Sequence, residues 1–273
     1  MQILPSKELS KYIKHYLFLE RNCTDIQKLR LFSDGNTGIV FSLKNKLISD
    51  FADYKSPVYL PNSFLYGQLN GFKDIYCNSS IEMIIVVFHP NGINQLMGII
   101  SSELTETILS IDTLFGKEGA ELHEKLAEQI KIQDRLFLLN RFFINLEAKK
   151  PQTNQVIANA SLDFITKSKG LFSLQQLVAY TGYTEKHIER KFKECIGLNP
   201  KKFGSIVRLH YFLKLLEVKT GDTNIASVSY QAGFADQSHL IKEFKKQTGI
   251  TPTQYLSNKG KLTNNFIENF TNK

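Results

Sequence analysis

The chain has 273 residues, with 34 Lys+Arg against 26 Asp+Glu and a formal net charge of +8. That length suits two domains, and 42% hydrophobic residues suffice for ordinary cores. No stretch approaches the ~20 consecutive apolar residues of a membrane span. The three cysteines, Cys23, Cys77 and Cys195, are too scattered for a disulfide framework or a Cys-x-x-Cys zinc site.

From the N-terminus, Met1-Gln2-Ile3-Leu4-Pro5-Ser6-Lys7-Glu8 carries no signal-peptide pattern, so the expected location is the cytoplasm. Three β-branched and aromatic runs read as strands: Ile39 to Leu43, Val58 to Leu60 and Ile81 to Phe88. The last is nearly continuous and is expected to be buried. His89-Pro90-Asn91-Gly92 ends it, and a helical segment follows around Ile93–Ile100. From about Lys117 to Lys149 the spacing is helical, with Leu122, Leu126 and Ile130 in one stripe and Leu136, Leu139, Phe143 and Leu146 in another. Ala148 to Gln155 is polar, contains Pro151 and reads as a linker.

Charge divides at this linker. Residues 1–154 hold 17 Lys+Arg and 17 Asp+Glu, whereas residues 155–273 hold 17 and 9, so the second half carries the whole excess. A neutral half joined to a basic half fits a regulatory domain fused to a polyanion binder.

The basic half carries one pattern twice. Gly182-Tyr183-Thr184-Glu185-Lys186-His187-Ile188-Glu189-Arg190-Lys191-Phe192 recurs as Gly233-Phe234-Ala235-Asp236-Gln237-Ser238-His239-Leu240-Ile241-Lys242-Glu243-Phe244, with one residue inserted in the second turn. Short apolar runs precede both, Leu174, Leu177 and Val178 in one and Ile225 and Val228 in the other, behind N-cap candidates Ser173 and Asn224. Thr184 and Asp236 are placed to cap the second helices. Ile188 with Phe192, and Leu240 with Phe244, fall four apart and are expected in the core. Each copy ends in Gly-x-x-Pro, at Gly197 to Pro200 and Gly249 to Pro252. Helix, glycine turn, second helix is the layout that sets a helix into the DNA major groove. From Ser257 the chain turns Asn- and Lys-rich, with scattered Leu262, Phe266, Ile267 and Phe270; a frayed tail and a docked short helix both fit residues 258–273.

On these residues, 155–257 resemble the DNA-binding domain of the AraC/XylS family of bacterial transcription regulators. The resemblance rests on both turn glycines, on Phe192 to Gly197 and Phe244 to Gly249, and on Ala232 to Leu240. It implies a rigid connecting helix from about Pro200 to Glu217. Phe212 and Val178 depart from the family's smaller residues. The implied fold class is α+β: a β-rich, cupin-like domain with a helical segment over 1–150, then an all-α double helix-turn-helix. The Pro5 to Leu9 start and the Phe88, Pro90, Gly92 strand end resemble one subgroup of that family.

The implied function is sequence-specific binding of double-stranded promoter or operator DNA. Base-facing positions would be Lys186, Glu189 and Arg190 in the first copy, and Gln237, Ser238, His239, Ile241 and Lys242 in the second. The N-terminal half would sense a small-molecule effector or mediate homodimerisation, and an activator would also engage RNA polymerase. Phe41, Tyr59, Tyr66, Met83 and His89, on or beside predicted strands, are the candidate pocket lining. The rival reading is an enzyme with an N-terminal catalytic barrel fused to a DNA-targeting module. Against it, the six histidines lie far apart, and no His-x-His, phosphate loop or Gly-x-Ser-x-Gly occurs. No metal, cofactor or membrane partner is expected.

Overall fold

The computed structural model describes residues 1–22, 26–49, 58–77, 80–150, 154–218, 225–258 and 260–268. Cys23, Pro151 to Thr153 of the linker, the N-cap candidate Asn224 and Phe270 lie outside them. In chain order the strands of the first half are β1 (Gln2–Ile3), β2 (Ile13–Arg21), β3 (Gln27–Phe32), β4 (Thr37–Ser42), β5 (Ile48–Ser49), β6 (Val58–Tyr59), β7 (Ser63–Tyr66), β8 (Phe72–Cys77) and β9 (Ile81–Phe88). Then come α1 (Gly92–Met97), a 3-10 turn (Ser101–Glu103), β10 (Ile108–Ser110), α2 (Ile111–Glu128) and α3 (Ile132–Ala148). The second half holds α4 (Val156–Lys167), α5 (Leu174–Thr181), α6 (Glu185–Ile196), α7 (Pro200–Val218), α8 (Ile225–Gln231), α9 (Gln237–Thr248) and α10 (Pro252–Ser257). It ends in β11 (Lys261–Thr263) and β12 (Phe266–Glu268).

The strands form two antiparallel six-stranded sheets, ordered β1-β2-β9-β4-β7-β10 and β11-β12-β3-β8-β5-β6. The run at Ile81–Phe88 shows no alternation because both of its faces are covered. Ile84, Val86 and Phe88 pack under the helices with Tyr16, Phe41, Leu139 and Phe143. Met83, Ile85 and Val87 point between the sheets, where Leu29, Ile75 and Cys77 meet them from the second sheet. The outer face of that second sheet is covered in turn by α7 to α10. The layers therefore run helices, first sheet, second sheet, second helix-turn-helix unit.

The helical region starts earlier than Lys117, at Ile111, and bends at Gly116. The expected Leu122–Leu126–Ile130 stripe breaks there too: α2 stops at Glu128, Gln129 is extended, and Ile130 is 92% exposed.

In the second half the local signals match the geometry. Ser173 forms a capping box with Gln176 at the start of α5, and Asp236 accepts a 2.7 Å hydrogen bond from the His239 amide at the start of α9. Thr184 occupies the N-cap of α6 without a side-chain bond. Gly182 (φ 74°) and Gly233 (φ 79°) take the left-handed conformation that the turns require. Ile188, Phe192, Leu240 and Phe244 are fully buried. Phe212 fills the second unit's core edge-on to Phe234 and Phe244, which accounts for a large residue where the resemblance implies a small one.

The described residues of the tail, 260–268, are neither frayed nor helical. β11 and β12 form a hairpin whose second strand pairs with β3, Phe266 opposite Leu31 and Ile267 opposite Arg30. Adjacent apolar residues that must both be buried suit a strand between two cores, since neighbouring side chains point to opposite faces. The second unit's core also takes in Phe32 of β3 alongside Phe244, Tyr255 and Ile267.

Candidate nucleic-acid interface and the cavity behind it

α6 and α9 each have one buried face and one exposed face. On α6, Lys186 and Arg190 are exposed while Glu189 is half-buried. Glu194 lies 3.7 Å from Arg190 and 2.9 Å from Lys191, a loose tether on a side chain that remains 61% exposed. On α9, Gln237, Ser238, His239, Ile241 and Lys242 are all exposed. Ser238, Ile241, Lys242, Lys245 and Lys246 border one shallow depression on that helix. Lys245, outward-facing by its spacing in the sequence, and Lys246 belong to the same surface but lie outside the base-facing set. Their spacing of three and four from Lys242 was the available signal.

The C-terminal ends of both helices are fastened to the N-terminal half. Ser101 Oγ donates to the Cys195 carbonyl and Thr105 Oγ1 to the Gly197 carbonyl, each at 2.8 Å. Arg30 Nη1 reaches the Thr248 carbonyl at 3.5 Å and its guanidinium lies over the Phe72 ring at 4.2 Å. Helix-end carbonyls without intrahelical partners are thus partnered across the interface. Arg30 is itself held bidentately by Asp74, at 2.6 and 2.7 Å, and Lys28 adds a 2.9 Å contact. Burial alone would raise the Asp74 pKa, but hydrogen bonds and charge from Arg30 and Lys28 outweigh it and hold the carboxyl below its ordinary value.

Between the sheets lies a cavity of about 420 Å³. Leu17, Val40, Phe64, Ile85 and Val87 line it from the first sheet, and Leu31, Ile75 and Phe266 from the second. At its polar side stand Lys14, His15, Asp34, Tyr66, Asn264, Asn265 and His210, the last contributed by α7. Of the five expected lining residues, Tyr66 and Met83 are here. Phe41 is not: it points to the helical layer, and its neighbour Val40 lines the cavity instead, a one-residue error in strand parity. Tyr59 sits on a two-residue strand at a sheet edge and is 62% exposed. His89 lies past the end of β9, its Nε2 3.1 Å from the Ser10 carbonyl.

His210 is half-buried beside the Ser33 carbonyl (2.9 Å) and stacks on Phe32. Burial lowers its pKa, and that of His15, below the ordinary 6.5, although Asp34 pulls each the other way. The unfolded chain then binds protons that the folded chain refuses, so stability is complete above pH 6.5 and falls as pH drops below it. Thermal melts from pH 7.5 to 5 should show this loss, and His210→Gln should flatten the curve; an unchanged slope would mean that His210 titrates as an exposed histidine.

Among the described residues no group of three or more His, Cys, Asp or Glu converges as a metal site, and no helix is long and apolar enough to cross a membrane.

Comparison with known proteins yields two family matches. Residues 177–258 match a family described as a helix-turn-helix domain, and residues 1–110 one described as a domain of unknown function, DUF6597. An uncharacterised HTH-type transcriptional regulator of Staphylococcus aureus strain MRSA252 is 23% identical over 84% of this chain and 29% of its own length. The HTH-type transcriptional regulator MtrA of Neisseria gonorrhoeae is 32% identical over 33% of this chain and 30% of that protein. The chain thus spans less than a third of either relative. Among solved structures, an apo variant of ToxT from Vibrio cholerae superposes with a TM-score of 0.51 at 16% identity, over 88% of this chain and 96% of that one, a likeness of fold.

Proposed function

We propose that the chain, whose residues 177–258 match a helix-turn-helix family, is a sequence-specific DNA-binding transcription regulator of the AraC type. It inserts α6 and α9 into adjacent major-groove segments, about one turn (~34 Å) apart on one face of the duplex. The observation that carries this reading is the polarity of the two helices. Each has its C-terminal end bonded to the N-terminal half and leaves its first turns exposed. N-terminal residues of such helices are the ones that reach base edges.

Lys186, Glu189 and Arg190 are the base-facing set of α6, and Gln237, Ser238, His239, Ile241 and Lys242 that of α9. Arg190 forks onto a guanine and Gln237 onto an adenine, while Lys245 and Lys246 supply phosphate contacts. Arg190→Ala should cost roughly 1–3 kcal/mol on a selected site and relax preference at one base pair. An equal loss on random DNA in a binding titration would reduce Arg190 to a phosphate contact. Such a regulator acts where the DNA is, in the cytoplasm.

Residues 1–150 form the regulatory half, and the cavity is its effector site. An apolar chamber with Lys14, His15 and His210 at one side suits a mostly apolar molecule carrying one anionic or hydrogen-bonding group. No observation favours the catalytic alternative. Cys77 and Cys195 are buried, and burial pushes the Cys195 thiol up to about 11, away from reactive thiolate character.

A further inference from the structure

We propose that the C-terminal hairpin, β11–β12, is the strap through which the cavity communicates with the second reading unit. This rests on the reading of the cavity as an effector site. The strap is built from strand parity. Phe266 points inward, lining the cavity with Asn264 and Asn265 on the loop before it. Ile267, the next residue, points outward and is fully buried in the core of the second unit with Phe212, Phe244 and Tyr255. Its partner β3 repeats the division: Leu31 lines the cavity, while Phe32 enters the same core and Arg30 caps the end of α9. Cavity and reading unit are thus separated by a wall one strand thick, and alternate residues of both strands belong to opposite sides.

The hairpin is fastened at several points. The Phe32 amide donates to the Asn265 carbonyl at 3.0 Å, and Asn265 Nδ2 returns to the Phe32 carbonyl at 3.1 Å. Tyr255 Oη donates to the Asn264 carbonyl at 2.9 Å, tying the loop to α10. Arg21 of the first sheet reaches the buried Glu268 carboxylate at 3.2 Å. The cavity is therefore complete only when the hairpin is docked. A molecule that fills it binds the docked form preferentially, and by linkage it holds α9 in place. Packed cores transmit such displacements because they are dense and cannot deform continuously.

Two point variants of the full chain separate the faces, each read at the site its side chain does not enter. Ile267→Ala is titrated with anilinonaphthalene sulfonate, an amphipathic anion whose fluorescence rises in an apolar site. Phe266→Ala is followed by amide hydrogen exchange across α9, with the amides of α6 as an internal reference. The strap predicts that Ile267→Ala weakens the probe about ten-fold. It also predicts that Phe266→Ala speeds exchange in α9 about ten-fold while α6 stays unchanged. Unaltered probe affinity in Ile267→Ala together with unaltered α9 exchange in Phe266→Ala would overturn it, as would equal acceleration in α6 and α9, which signals global loosening. If the wild-type chain fails to bind the probe, the effector reading of the cavity falls, and the α9 exchange of Phe266→Ala still decides the strap.

Discussion

Phe244→Ala should destabilise the chain by about 3–5 kcal/mol, since a buried aromatic is lost and the surrounding core closes only in part. Phe244 has no exposed surface and sits at the junction of four elements. Its ring meets Phe212 of α7 at 6.1 Å and Tyr255 of α10 at 5.8 Å, both edge-on. The same core holds Phe32 of the second sheet and Ile267 of the hairpin, so the cavity left behind touches both halves of the protein. Urea unfolding should report the loss as a lower midpoint with an unchanged slope. DNA binding at the second recognition surface should fail with it. Phe244→Leu, which retains most of the volume, should lose far less. Equal stability for the two variants would show that the cluster is loosely packed.

The second large effect is expected at the buried ion pair behind α9. Asp74→Ala removes the carboxylate that holds the Arg30 guanidinium bidentately beside the Phe72 ring, and leaves Lys28 adding like charge nearby. Removing one partner of a buried pair costs about 3–5 kcal/mol, largely as an uncompensated charge. Replacing both partners, Arg30→Met with Asp74→Leu, should restore much of that stability, because the desolvation of two charges is removed together. Asp74 has a lowered pKa, so its contribution is present at neutral pH and lost as pH falls through the folded-state value below 3.8. Melts of the single and double variants at pH 7 would decide; a double variant as unstable as Asp74→Ala would mean that the Arg30 contact to the helix end carries the energy.

The reading units were legible because their determinants are local. Two turn glycines, two pairs of apolar residues four apart and two Gly-x-x-Pro tails lie within single stretches of chain, and each maps onto one geometric requirement. The first half was harder. The run at Ile81–Phe88 was readable from its length, but β2 (Ile-Lys-His-Tyr-Leu-Phe-Leu-Glu-Arg) puts charge at both ends of a strand of which only the centre, Tyr16 to Phe18, is buried on both faces, so its period is blurred. Of the cavity, only Tyr66 and Met83 were legible. Its polar side joins Lys14, Asp34 and His210, which only the tertiary fold brings together. Even on a correctly placed strand, choosing Phe41 over Val40 depended on a parity that composition does not set. The tail misled through composition. Its Asn and Lys content suggested solvent, whereas the adjacent pair Phe266 and Ile267 fits a strand buried on both sides.

Under the proposed function, two distinct helices read two adjacent stretches of DNA. Selection of bound sequences from random double-stranded DNA by the full chain tests it most directly, followed by titration of Arg190→Ala and Gln237→Ala on the selected site. Two enriched segments should appear with centres about 10 base pairs apart, and each substitution should relax preference in one segment and leave the other intact. An unenriched pool, or a single segment relaxed equally by both substitutions, would contradict it.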